Sequence, residues 1–271
     1  MRISLSNHPV HHLEFRVYGK QVLLDVEDPD EVLIPSDWPI FLTDNLKLSS
    51  SEREGTVLDL GTGSGILAIA LYKMGCTNVD ASDISRIALE TARENLRLND
   101  FGGNSDLIQS DVFDKISKHY ELIVTNPPTF PDEQSLRRNH YIDYAFFAGS
   151  DGRGFIDKVI ESVDKFLVEG GRLMMLHPSY LNTNLTIERL KKKNFKTSIT
   201  ASRNVSLNDY AKFLTQNGYD GETMKVKTIS NAKTLGSELK YSDSKSSYEF
   251  TLDLVEAIKI PTNLNTEGFR P

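Results

Sequence analysis

The sequence predicts an α/β fold: a doubly wound, mostly parallel sheet of seven strands with helices on both faces. Three observations predict it. From Thr56 onward, short apolar runs alternate with amphipathic runs at helical spacing, the pattern of strands joined by crossover helices. A glycine-rich turn, VLDLGTGSG (Val57 to Gly65), separates the first apolar run from the first of those helices. The last run, YEFTLDLVEAIKI (Tyr248 to Ile260), alternates apolar and polar residues, as a long strand returning antiparallel to the sheet would.

The elements follow in order. LEFRVYGKQVLLDVED (Leu13 to Asp28) alternates around a Tyr-Gly-Lys turn and predicts a β-hairpin. PSDWPIFLTDNLKL (Pro35 to Leu48) offers Ser36 and Asp37 as caps ahead of a short amphipathic helix. SSSEREG reads as a polar linker, so residues 1–50 form an N-terminal hairpin and helix and residues 51–271 the main domain. There TVLDL is a strand, GILAIALYKM a helix, NVDASD a strand and SRIALETARENLRLN a helix capped near Asp83 or Ser85. SDLIQSD and YELIVTN are strands, RGFIDKVIESVDKFL a helix, GGRLMMLHP a strand, LTIERLKKKN a helix and FKTSITASR a strand. Residues 207–247 are polar and glycine-punctuated, with one helical piece, LNDYAKFLTQNG, and read as an insertion before the last strand.

Composition narrows the function classes. A chain of 271 residues can bury a sizeable core, and no apolar run approaches the roughly 18 residues that a membrane span needs. MRISLSNHPVHH has no apolar signal-peptide centre, and Cys76, the single cysteine, excludes an internal disulfide framework. A soluble cytoplasmic protein with no membrane partner is expected. The net charge of −7 disfavours a nucleic-acid partner. Between Glu188 and Lys245, however, 12 Lys or Arg stand against 6 Asp or Glu. The run KKKNFK in that stretch suits the solvated C-terminal end of a helix.

The glycine turn carries the first chemistry. Gly61, Gly63 and Gly65 let the backbone turn sharply and let a ligand approach where no Cβ stands. A dinucleotide fold places its third glycine three residues after the second, where Ile66 stands here. Instead the glycines run G-x-G-x-G, with Asp59 two residues upstream. An acid beside such a turn suits a ligand with a positive end, and S-adenosylmethionine carries an ammonium and a sulfonium. Asp83, about 20 residues on, is placed to accept ribose hydroxyls. Asp111, after the third strand, is placed for an adenine amino group. The predicted cofactor site is Asp59, Gly61, Thr62, Gly63, Gly65, Asp83, Ile84, Asp111, Val112 and Asn126.

The second chemistry lies in ELIVTNPPTF (Glu121 to Phe130), where an apolar strand stops at an asparagine and two prolines. VLDLGTGSG, the acid of SDIS, SDVF and NPPTF, in this order, resemble the class I S-adenosylmethionine-dependent methyltransferases with an N-P-P-aromatic motif. Within them they resemble the release-factor glutamine methyltransferases, the PrmC/HemK family. VLIPSDWPIFL resembles that family's VLIPRPET stretch, and GSDGRGF and LVEGGRLMML resemble its later motifs. The resemblance spans roughly Leu13 to Ser206. It implies a Rossmann-like methyltransferase that methylates an amide-like or aryl-amine nitrogen, foremost a glutamine-type amide of a protein or peptide. A small molecule, a nucleic-acid adenine and non-catalytic cofactor binding are the alternatives.

Such nitrogens are poor nucleophiles and need in-line placement and acceptors for their N–H groups. The Asn126 side-chain oxygen and the Pro127 carbonyl are the predicted catalytic acceptors, their geometry held by Pro127 and Pro128. Pro128, Thr129 and Phe130 are the predicted substrate contacts. Thr129 stands where the family has an aromatic, and Phe130 follows one place later. About a dozen residues precede the hairpin, where that family carries a helical recognition domain. The insertion, with Tyr210, Phe213 and Tyr219, is expected near the mouth of the crevice, where a lid would suit a small molecule or short peptide segment. HPVHH (His8 to His12) lacks an acid or cysteine to complete a metal site, so no metal is expected. His177 reads as a structural histidine, Cys76 as a core residue, and Asp151 and Arg153 as helix caps. Trp38 would either pack the N-terminal helix on the sheet or wall the pocket.

Overall fold

The computed structural model describes residues 10–261 apart from residues 102, 104, 133–135 and 238. His8 of HPVHH lies outside the described residues. Strands β1 (His11–Val17) and β2 (Lys20–Val26) pair about Tyr18 and Gly19, both at positive φ, the turn that matches strand twist. The free edge of β2 is not left to solvent. Asn95 and Asn99, four residues apart on a later helix, exchange hydrogen bonds with the backbone of Asp25 and Leu23 at 2.6–3.1 Å. The Asn95 amide also donates to the Ser64 carbonyl, tying the hairpin to the glycine turn.

Helix α1 (Trp38–Asn45) starts with Trp38 N–H donating to Ser36 Oγ. Asp37 does not cap it; its carboxylate instead accepts from the Arg203 guanidinium at 2.8 Å. The stretch expected as a linker is helix α2 (Ser50–Glu54), closed by a capping box in which Ser49 and Glu52 satisfy each other's backbone N–H. The boundary expected at residue 50 thus falls inside α2. Glu52 is buried and accepts two bonds from Arg172, which also reaches Glu256.

The main layer runs β3 (Thr56–Leu60), α3 (Ile66–Lys73), β4 (Asn78–Asp83), α4 (Arg86–Leu98), β5 (Leu107–Gln109) and β6 (Tyr120–Thr125). It continues through α5 (Asp143–Phe146), α6 (Gly154–Ser162), β7 (Leu167–Pro178), α7 (Thr183–Lys192) and β8 (Phe195–Ser206). Then come α8 (Leu207–Gln216), α9 (Gly221–Thr234), β9 (Lys240–Ser242) and β10 (Ser247–Lys259). The sheet order is β5-β4-β3-β6-β7-β10-β8, and β10 is antiparallel to both neighbours. Short β9 pairs with β10 off this path, making eight strands where seven were expected. Helix α3 is buried from Ile66 to Tyr72, as a helix apolar on all sides must be.

The 207–247 segment holds two helices, not one. Helix α9 buries only Gly221, Met224, Thr228 and Ala232, so its inward stripe is small and weakly apolar. Several of the positive charges between 188 and 245 are paired: Lys193 with Asp164, Arg203 with Asp37, Lys225 with Glu222 and Lys245 with Glu249. No described helix is long and apolar enough to cross a membrane.

Candidate active site

Strand order reverses between β3 and β6, and the crevice at such a reversal is where doubly wound sheets bind ligands. A cavity of about 410 Å³ lies there. Of the predicted residues, Gly61, Thr62, Gly63, Asp83, Ile84, Asp111, Val112, Asn126, Pro127, Pro128 and Thr129 line it; Asp59, Gly65 and Phe130 do not.

The turn after β3 is pinned from β4. Gly61 and Thr62 N–H both donate to the Ser82 carbonyl, and Gly63 N–H donates to Asp83 Oδ2 at 2.9 Å. Asp83 Oδ1 accepts from Ser85 N–H. Burial raises the Asp83 pKa above the ordinary carboxylate value, against the pull of these N–H donors. Gly63 has φ +53°, and a Cβ there would meet no protein atom within 4 Å, so it borders open space. Gly65 sits differently: its Cβ position presses on Ala92 at 3.1 Å, so this glycine serves helix packing rather than a ligand.

Asp59 needs a correction. It was expected to face the positive end of a ligand, but it is wholly buried behind the turn. Its Oδ2 accepts from Thr62 Oγ1 at 2.7 Å and from Ala68 N–H at 3.0 Å, while Oδ1 has no partner among the described residues. Burial pushes its pKa up to about 7, opposed by those two donors. Asp59 braces the loop to the start of α3. Asp111 lines the cavity ion-paired with Lys158 at 2.6 Å.

At the end of β6, Thr125 Oγ1 donates to the Leu60 carbonyl, locking the strand to β3 just before the motif. Asn126 then projects with a partly exposed side chain that makes no hydrogen bond among the described residues. After the prolines, Thr129 and Phe130 N–H groups both donate to the Phe146 carbonyl, and Phe130 bridges to Phe147. This turns Phe130 inward: it is 1% exposed, between Phe146 and Tyr210, and offers no surface to the cavity. Thr129 Oγ1 meets Tyr180 Oη at 2.9 Å. Gly152 closes the loop from behind, where a Cβ would stand 2.4 Å from the Thr129 carbonyl.

Of the residues set aside, His177 is wholly buried between Thr183 and Thr186, and burial drives its pKa down to about 3. Arg153 is equally buried, donating to the Leu181 carbonyl, Asp157 and Thr186; its own N–H is capped by Asp151. Cys76 is a buried free thiol, its pKa pushed up to about 12 by burial. No group of His, Cys, Asp and Glu among the described residues is arranged to hold a metal. Sequence reasoning missed Tyr141, Tyr144, Phe155 and Lys158 on the cavity wall. The aromatic density of HYIDYAFFAG was the signal available for the first two. Trp38 does both jobs proposed for it, being nearly buried and lining the cavity.

The family described as "Methyltransferase small domain" matches residues 40–206. The chain is 32% identical over 171 residues to a putative protein N5-glutamine methyltransferase of Methanocaldococcus jannaschii, covering 63% of this chain and 84% of that one. It is 32% identical over 158 residues to the release factor glutamine methyltransferase of Lactococcus lactis, covering 56% of this chain and 58% of the relative. Two solved structures share the fold. The E. cuniculi Mtq2–Trm112 complex, described as responsible for methylation of the eRF1 translation termination factor, gives a TM-score of 0.53 at 21% identity, covering 85% of this chain and 99% of that one. The T. thermophilus 16S rRNA N2 G1207 methyltransferase with AdoMet and guanosine gives 0.53 at 20%, covering 71% and 47%.

Proposed function

This chain belongs to the methyltransferase small domain family, and we propose that it transfers a methyl group from S-adenosylmethionine to the side-chain amide nitrogen of a protein glutamine. The observation that carries the reading is the Asn126 amide, free of protein partners among the described residues and lining one cavity with the glycine turn, Asp83 and Asp111. Those residues fit the cofactor: an open backbone at Gly63, a half-buried carboxylate at Asp83, and a second carboxylate at Asp111. S-adenosylmethionine supplies an electrophilic methyl on a sulfonium. The chain's own part is to hold the acceptor amide, whose lone pair is delocalised and must be aimed. Asn126 Oδ1 and the Pro127 carbonyl would accept hydrogen bonds from its two N–H groups, favouring the positive charge that develops on nitrogen as its bond to the methyl forms and the methyl–sulfur bond breaks. One of those protons is then lost to water. The prolines and the Thr125–Leu60 bond fix those acceptors beforehand, so little reorganisation is left for the reaction. The names of the two sequence relatives support a glutamine amide as the acceptor.

Labelled S-adenosylmethionine incubated with the protein and a fractionated extract tests the assignment. Label in macromolecules that protease removes supports it; label removed by nuclease, or confined to the low-mass fraction, overturns the acceptor. Asn126→Ala should cut label transfer by roughly 100-fold or more while calorimetric affinity for S-adenosylmethionine stays close to wild type. An undiminished rate would refute the catalytic role.

A further inference from the structure

Thr129 cannot offer a flat surface to a planar acceptor. It is short and nearly buried, and its hydroxyl is already engaged by Tyr180. Phe130, the next aromatic, faces away from the cavity. Yet an amide whose lone pair must be aimed gains from a ring against its face, since π systems pack with centroids about 4.5–7 Å apart. One ring of the cavity wall, Trp38, is in a position to do this, with a second ring behind it. Trp38, at the start of α1, and Tyr210, on α8, stack at 5.1 Å and 24°. Phe130 lies parallel to Tyr210 at 5.3 Å and 20° and backs it from the core. The Tyr210 ring also packs near Phe213 and Phe250, which holds it in the core behind Trp38. Both rings thus belong to the wall of the cavity that Asn126, Pro127 and Pro128 also line, although they come from segments far apart in the chain.

We propose that Trp38, backed by the Tyr210 ring, and not the N-P-P motif itself, forms the aromatic platform on which the acceptor's planar amide is held. The inference rests on the amide-transfer reading above and deepens it: the segment after β8 enters the acceptor site. The Tyr210 ring acts by its stacking behind Trp38, so a ring-preserving change should be tolerated where a ring-free one is not. Tyr141 and Tyr144 line the mouth of the same cavity but are about half exposed, without such support.

Trp38 is the only tryptophan, so its emission reports on this wall alone. The probe is the blocked peptide acetyl-Gly-Gln-Gly-amide, titrated in the presence of S-adenosylmethionine, with methionine replacing glutamine as the control peptide. The glutamine peptide should quench or shift the emission and the control should not. Tyr210→Phe should retain the response within about threefold in peptide concentration. Tyr210→Leu should require at least tenfold more peptide, with unchanged calorimetric affinity for S-adenosylmethionine. In the labelling assay over serial dilutions of one extract, the Leu variant should raise the half-saturating extract concentration tenfold, and Phe should restore it. If Tyr210→Leu does not fold, Tyr210→Met serves as the ring-free variant, since a thioether adapts to irregular core space. No emission change in the wild type, or a ring-free variant equal to wild type in both assays, overturns the proposal. Failure of the wild type to bind S-adenosylmethionine would instead sink the transfer reading, and the peptide response would still decide this one.

Discussion

Gly152 holds the motif loop at a distance no other residue allows, and Gly152→Ala measures what that distance is worth. The position has φ +76°, and its Cβ would lie 2.4 Å from the Thr129 carbonyl oxygen, against an ordinary contact of at least 3.4 Å. One side or the other must therefore move by about 1 Å. Two costs add: about 1 kcal/mol for a side chain in left-handed backbone and about 2 kcal/mol for overpacking. At roughly 2–4 °C per kcal/mol for a domain of this size, the midpoint should fall by about 6–12 °C. Gly170→Ala is the control. Its φ is +79° but nothing lies within 4 Å of its Cβ, so it should lose only the backbone share, about 2–4 °C. Because Thr129 follows Asn126 through two rigid prolines, a shift of that carbonyl displaces the catalytic acceptors. A 1 Å error in such placement can cost about 100-fold in rate. Thermal unfolding, calorimetry with S-adenosylmethionine and label transfer should show a large midpoint loss, near-normal cofactor affinity and a rate down 10- to 100-fold. If Gly152→Ala matches Gly170→Ala in midpoint and rate, the close-approach argument is wrong.

Two further outcomes follow from buried charges. Asp59 holds its proton in the folded state up to about pH 7, whereas the unfolded chain releases it near the ordinary value of 3.8. The folded state thus binds more protons between those limits, and stability falls as pH rises from about 4 to about 7, by an amount on the order of a few kcal/mol. Asp59→Asn keeps an acceptor for Thr62 and Ala68 but cannot titrate, so its midpoint should decline less over that window in scanning calorimetry; equal slopes would remove Asp59 as the cause. Arg172→Ala strands Glu52, which is buried, and should cost about 3–5 kcal/mol. A midpoint within about 2 °C of wild type would show that Glu52 finds another partner.

Much of the fold was legible because its central strands are covered on both faces and so read as short unbroken apolar runs. TVLDL and ELIVT leave little room for another reading, and the intervening helix GILAIALYKM betrays its burial by lacking a polar face. Helix α9 was not legible, since Gly221, Met224, Thr228 and Ala232 are too small and polar to mark a stripe. Helix α2 was: Ser49 and Glu52 stand at capping-box spacing inside what looked like a linker. At the site, the positions of Asp83, Asp111 and Asn126 followed from strand ends. The orientation of Asp59 did not, because alternation along a strand covered on both faces does not tell the cavity side from the core side. Phe130 failed for a related reason, its direction being set by two backbone bonds to Phe146 that no local pattern announces. The Trp38–Tyr210 stack is purely tertiary.

The placement of the 207–247 segment has a bearing on how this enzyme can change. Ser206, where the segment leaves the sheet, sits opposite Glu249, just after it returns, so its two ends are neighbouring rungs of one antiparallel ladder. Apart from short β9, which pairs with the start of β10, a segment anchored in that way can lengthen or shorten without shifting the register of β8 against β10, because closing a longer loop costs only about 0.6 kcal/mol per doubling. The donor half of the crevice, built on β3, β4 and β6, shares no strand with it. Under the reading proposed above, substitutions there would alter which amide is accepted while the handling of the methyl donor stays the same. Acceptor preference is then the trait most open to drift, and helix α8 the place where a redesign for a new peptide should begin.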